Sequence, residues 1–103
     1  MIARLWQGWT TKSNADAYQQ LLEAEIFVGI AARRIAGFRG IELFRRELDD
    51  EVEFATLMRF DSLAAVKQFA GDDYEAAVVP AKARALLARY DLRSRHFEIL
   101  VER

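Results

Sequence analysis

The stretch Phe38–Phe60, FRGIELFRRELDDEVEFATLMRF, decides the fold. Both halves are rich in β-branched and aromatic residues, and Asp49-Asp50 separates them. Phe38 to Leu48 therefore reads as one strand, Glu51 to Phe60 as its return, and the acidic pair as the tight turn of a hairpin. In the returning strand Ala55 and Leu57 alternate with Phe54, Met58 and Phe60, so both faces of the ribbon are apolar. A sheet built on this hairpin needs cover on two sides.

Upstream, Ile2 to Trp9 reads as a first strand that ends at polar Thr10, Thr11 and Lys12. Ser13 or Asn14 is placed to cap a helix, with Asp16 in a capping-box-like position. From Ala15 the spacing of Tyr18, Leu22, Ile26 and Ile30 is helical. Val28 and Gly29 weaken the turn near Phe27 to Gly29. Arg33 and Arg34 suit a helix C-terminus, and Gly37 suits a left-handed stop. Downstream, Asp61 or Ser62 caps a second helix in which Leu63, Val66, Phe69 and Ala70 share a face, and Gly71 ends it. A short turn follows around Tyr74 to Ala77. Pro80 opens a last helical stretch, Ala81 to Arg89, and Arg93 to Val101 forms the fourth strand.

This order, β-α-β-β-α-β, predicts an α+β fold of the ferredoxin-like kind: a four-stranded antiparallel sheet with helices on one face. The other face stays apolar, since Ala3 and Leu5 alternate with Ile2 and Trp6, and Phe97 and Ile99 with His96, Glu98 and Leu100. A lone chain would leave that face in water, so a homodimer packed sheet on sheet is expected.

The 103 residues fit one domain, 1–103, with no linker or repeat. The composition, 52% hydrophobic and 30% charged, is globular. A formal net charge of -1 with no basic block argues against nucleic-acid binding. The absence of cysteine removes disulfides, thiolate nucleophiles and thiolate metal sites, and His96 is the only histidine, so no metal site is expected. MIARLWQGWTTK lacks the apolar run of a signal peptide, and no segment is apolar enough to span a membrane, so a cytoplasmic protein is the default expectation. There is no nucleophile elbow, phosphate-binding Gly loop or dinucleotide fingerprint. Asp72, Asp73 and Glu75 lack the spacing of a calcium loop and read as caps.

Several segments together resemble the dimeric α/β-barrel proteins of the antibiotic biosynthesis monooxygenase type: IARLWQGWT, AGFRGIELFRRE, EFATLMRFDSLAAVKQFAG, DDYEAAVVP and the closing HFEIL. The resemblance covers nearly the whole chain. It implies a ferredoxin-like protomer, a homodimer, and a pocket between sheet and helices. Some members of that family oxygenate polyketide quinols or anthrones with no metal or flavin, the substrate itself giving an electron to oxygen. Others degrade heme, using an Asn on the first strand, a Trp at the end of the third and an iron-ligating His on the following helix. Those positions hold Trp6, Phe60 and Val78 here. Valine cannot ligate iron, so the resemblance does not extend to heme degradation, and no cofactor is expected.

His96 is the candidate for acid-base work, with Glu98 two residues on to tune it; alternatively it is a structural His satisfied by Glu98 or a carbonyl. Arg4 and Trp6 share a face of the first strand, where a guanidinium beside an indole suits a phenolate or carboxylate of an aromatic ligand. The plainer alternative pairs Arg4 with Glu42 or Glu98. Phe44 and Met58 read as core, while Phe60 and Tyr74 are placed to line a pocket mouth. Two functions follow. In the first, a cofactor-free monooxygenase acts on an aromatic or polyketide-type molecule, with Arg4 or His96 stabilising its anion and Trp6, Phe60 and Tyr74 as walls. In the second, a non-catalytic homodimer binds a small molecule or a partner. An RNA-binding reading is weak, because EFATLMRF lacks the basic and glycine positions of the relevant motif. A cavity of a few hundred Å³ reaching Trp6 and His96 would favour the pocket readings.

Overall fold

Backbone pairing gathers the hairpin and the first strand into one sheet. A computed structural model describes residues 1–103. Strand β1 (Ile2–Thr11) pairs antiparallel with β3 (Glu51–Phe60) along its full length, from Ile2 opposite Phe60 to Thr11 opposite Glu51. Strand β2 (Phe38–Glu47) closes the hairpin on the other edge of β3. The remaining edge of β1 carries two short strands, β4 (Leu87–Tyr90) beside Gly8–Thr10 and β5 (Arg95–Glu98) beside Ile2–Leu5. They fill one strand position, so the order is β2-β3-β1-β4 with β5 also on β1. The ferredoxin-like α+β fold is therefore as expected, with one correction.

The fourth strand is in two pieces, and its first piece lies where a helix was expected. The last helix, α4 (Ala81–Leu86), stops before Leu87, which is extended. The helical propensity of Leu87 to Arg89 yields to the unpaired edge of β1, whose backbone groups need partners. Asn14 marks the junction by donating from Nδ2 to the Leu86 carbonyl at 3.3 Å. It thus does not cap its own helix, and Asp16 pairs with Arg45 instead of completing a capping box.

Opposed residues of an antiparallel pair share a face. Ile2, Arg4, Trp6, Gly8 and Thr10 therefore lie with Phe60, Met58, Thr56, Phe54 and Val52 under the helices. Ala3, Leu5, Gln7 and Trp9 lie on the open face with Arg59, Leu57, Ala55 and Glu53.

The first helix begins as α1 (Ala15–Leu21), passes through a π-helical turn at Leu22–Ile26, and continues as α2 (Phe27–Ala32). The loosening expected at Phe27 to Gly29 thus falls one turn earlier. An α-helix turns once in about 3.6 residues, so each step of four overshoots by roughly 40°. The extra residue of the π-turn absorbs that drift and keeps Tyr18, Leu22, Ile26 and Ile30 on one side. Arg34 takes the left-handed conformation, with φ 50°, at the helix end, while Gly37, with φ 85°, turns the chain into β2. A Cβ on Gly37 would lie 2.9 Å from the Ala65 Cβ, so that turn also needs the missing side chain. Helix α3 (Leu63–Ala70) is capped by Ser62, whose Oγ accepts from the Ala65 N–H at 3.3 Å.

Two apolar clusters fill the space between sheet and helices. One centres on Tyr18, Leu22, Val52 and Phe54, the other on Met58, Phe60, Val66 and Phe69. No helix is long and apolar enough to cross a membrane.

Candidate functional site

Between the two clusters lies a cavity of about 60 Å³. Its floor is Arg4 and Trp6 of β1, Thr56 and Met58 of β3, and Ile41 of β2. The first helix covers it with Tyr18, Leu22, Ile26, Phe27 and Ile30. Phe69, the Val78–Pro80 segment, Ala83 and Ser94 close the remaining sides. A cavity of that size admits on the order of a few water molecules. That is well below the few hundred Å³ expected, and His96 does not line it.

The end of the cavity near Trp6 forms where the fourth strand breaks. Between β4 and β5 the chain bulges at Asp91–Ser94, and the Trp6 indole donates Nε1–H to the Asp91 carbonyl at 2.7 Å. Gly8 makes this pose possible: a Cβ there would meet the indole at 2.8 Å and Leu87 at 2.9 Å. The bulge is stitched to the loop before α4, with the Ala77 N–H bonded to the Leu92 carbonyl and Ser94 N–H to that of Glu75. Val78 lies in that loop and not on a helix.

Arg4 is 3% exposed, and no carboxylate compensates it. Its Nη1 donates to the Tyr74 carbonyl and, at 2.9 Å, to His96 Nε2; Nη2 donates to the Ala76 carbonyl at 3.1 Å. The guanidinium carbon lies 5.5 Å from the Phe69 ring centre, a cation–π contact. The carboxylate expected from Glu42 is bound by Arg59 instead, and Glu98 makes no ion pair with Arg4. Of five N–H groups three are used, so two remain. Burial pulls the guanidinium down to about 10, which leaves it charged at neutral pH. A buried cation without a counter-charge costs several kcal/mol of lost hydration.

His96 stands behind Arg4. It meets the Tyr74 ring edge-on at 5.1 Å. Accepting at Nε2 from an arginine requires a lone pair there, so the proton of the neutral ring is on Nδ1, which is buried without a partner. Burial first, then the charge of Arg4, lowers its pKa from the ordinary histidine value, against a smaller opposing effect of Glu75. His96 is thus neutral and tied to Arg4, not to Glu98.

Of the five residues singled out from sequence, Arg4 and Trp6 meet at the cavity, and His96 touches it only through Arg4. Tyr74 contributes a carbonyl to Arg4 and a ring to His96 rather than a cavity wall. Phe60 is fully buried in the second cluster, between Phe38 and Phe69.

Sequence reading missed Tyr18 and Ser94. Tyr18 is 1% exposed and lines the cavity, its ring edge-on to Phe54, its hydroxyl bonded to no protein group. Burial raises its pKa well above the ordinary tyrosine value, so the hydroxyl stays protonated. Ser94, 4% exposed, has a buried Oγ with no partner. The only hint in the sequence was its place two residues before His96. No three His, Asp or Glu side chains converge anywhere in the chain. The site's chemistry is that of one guanidinium, the hydroxyls of Tyr18, Thr56 and Ser94, and an apolar wall.

Fold and site together define a ferredoxin-like protein with a small pocket between sheet and helices. A crystal structure of a Bacillus cereus protein, provisionally described as an antibiotic biosynthesis monooxygenase, has the same fold: TM-score 0.66, over 99% of this chain and 95% of that one. The two sequences are 9% identical, so the likeness is one of fold. No protein-family model and no curated protein sequence matches the chain.

Proposed function

We propose that the protein is a homodimeric, cofactor-independent monooxygenase-like enzyme for a small aromatic or polyketide-type molecule, bound as its anion in the cavity between sheet and helices. The observation that carries this reading is the uncompensated Arg4 at the wall of a largely apolar cavity. An acidic substrate entering there loses water, and the guanidinium favours its deprotonated form. In a substrate with an acidic CH₂, the anion gives one electron to oxygen, the resulting radical pair combines to form a C–O bond, and the peroxide takes up a proton. Loss of water from the hydroperoxide then converts CH₂ to C=O, with both oxygen atoms accounted for. Arg4 holds the anion, Trp6 and Tyr18 orient it, and His96 positions Arg4 without touching the substrate. A one-ring molecule suits the cavity better than a fused polycycle.

Oxygen uptake with a panel of quinols and anthrones tests this. Wild-type protein is expected to exceed the uncatalysed rate, and Arg4→Met to lose about 10²–10³-fold, the usual effect of removing one stabilising donor. No uptake above background with any substrate refutes catalysis. The small cavity and the His96 side chain outside it favour a second reading, a non-catalytic homodimer that binds a small molecule. That reading gains if ligands bind without oxygen consumption.

A further inference from the structure

We propose that the free edge of Arg4 and the Ser94 hydroxyl form a carboxylate site, so that the ligand of this pocket is a small aromatic acid. The inference rests on the pocket reading above and names its ligand class.

Two carbonyls, Tyr74 and Ala76, occupy Nη1 and Nη2 of Arg4, and His96 takes the second N–H of Nη1. Two acceptors from one short segment fit the end of the guanidinium fork, where Nη1 and Nη2 lie side by side. What remains unbonded is the other edge, Nε–H beside one N–H of Nη2. Two parallel N–H groups match the two oxygens of a carboxylate, whereas a phenolate offers one. Ser94 adds a third group. It precedes β5 on the same face as His96, lines the same cavity as Arg4, and its buried Oγ lacks any partner. Every other charge near this corner is already engaged or absent from the cavity: Glu75 pairs with Arg93, and Glu42 with Arg59. The opposite wall, with Ile26, Phe27 and Val78, is apolar and receives a ring. One negative charge against one guanidinium also gives the buried cation its missing counter-charge.

Calorimetric titration of the whole protein with benzoate, benzamide and 4-nitrophenolate, the last in mildly alkaline buffer, tests the proposal. Benzoate is expected to bind at least about tenfold more tightly than either of the others, and Ser94→Ala to weaken benzoate about tenfold with little effect on benzamide. Equal binding of benzoate and benzamide overturns the proposal. So does tighter binding of 4-nitrophenolate, which keeps an anion pocket but removes the carboxylate, and so does no binding of any probe. Benzoate preference without oxygen uptake on the quinol and anthrone panel leaves the carboxylate site standing and removes the oxygenase.

Discussion

A guanidinium taken out of water without an acid beside it must be held by neutral groups, and at Arg4 these are two carbonyls and an imidazole. The arrangement sets what removal would do. Arg4→Met takes away the charge but orphans the Tyr74 and Ala76 carbonyls, each worth about 1–3 kcal/mol if left unpaired. A urea midpoint below that of wild type is therefore expected, and an unchanged one would mean the loop simply turns those carbonyls to water. His96 supplies a pH signature. Its folded pKa lies below the unfolded 6.5, so between the two values the unfolded chain carries a proton that the folded chain lacks. Stability is full above about 6.5 and falls as pH drops toward the folded value. Once pH falls through the folded value, His96 itself takes up a proton and Arg4 loses its acceptor at Nε2. Thermal midpoints taken between neutral and mildly acidic pH should show this fall in wild type and not in His96→Gln. An equal fall in both would assign it elsewhere. Gly8→Ala drives a methyl into the indole of Trp6 and the Leu87 side chain, and should cost about 1–3 kcal/mol in thermal unfolding.

The elements explain why a cavity remains between sheet and helices. The π-turn at Leu22–Ile26 inserts one residue into a helix that would otherwise pack regularly on the sheet. Regular spacing after Leu22 would call for inward residues one place earlier than Ile26 and Ile30. Deleting exposed Glu23 should therefore restore an ordinary α-helix with both flanks in register. The expected result is a thermal midpoint equal to or above wild type, with benzoate binding weakened. A midpoint several degrees lower would show that the π-turn serves the core and not the cavity. The hairpin, β1 and both main helices were legible because each had alternation, a cap or a stop of its own. The π-turn was legible only as a too-strict spacing of four, and its place was misjudged because Val28 and Gly29 looked like the weaker point. The split fourth strand was hidden because Leu87 to Arg89 has helical propensity, and only the free edge of β1 overrides it. Arg4 and Trp6 were readable as neighbours on one strand face. Ser94 and Tyr18 reach the site through long-range packing, which local pattern does not encode. For His96 the sequence offered Glu98 or a backbone carbonyl and not Arg4, because position along a strand does not show which cross-strand neighbour competes for the ring.

On the scale of the whole molecule the open sheet face sets the remaining requirement. Phe44 and Phe97 are 47% and 49% exposed there, with Leu5, Leu57, Ala55 and Ala3 between them. Charges cross this face too, and most of them are paired within the chain. Arg46 donates to Glu53, Gln7 donates to the same carboxylate, and Arg95 donates to Gln7 Oε1 at 3.1 Å. Arg59 binds Glu42 alongside. Cover over this face strands few of its charges, and its apolar residues gain from cover. A second copy related by a two-fold axis would bring the same patch against itself, with sheets packed face to face. Leu57 sits near the middle of that patch and outside both core clusters, so Leu57→Arg should leave the protomer folded. Two guanidinium groups would then meet across the axis without partners. Sedimentation equilibrium at micromolar concentration should give wild type a mass near twice 11.8 kDa, and the variant a mass near one chain with unchanged circular dichroism. Wild-type protein sedimenting as one chain would remove the dimer. The two aromatic rings would then be surface features, and the pocket on the other face would have to function without a partner.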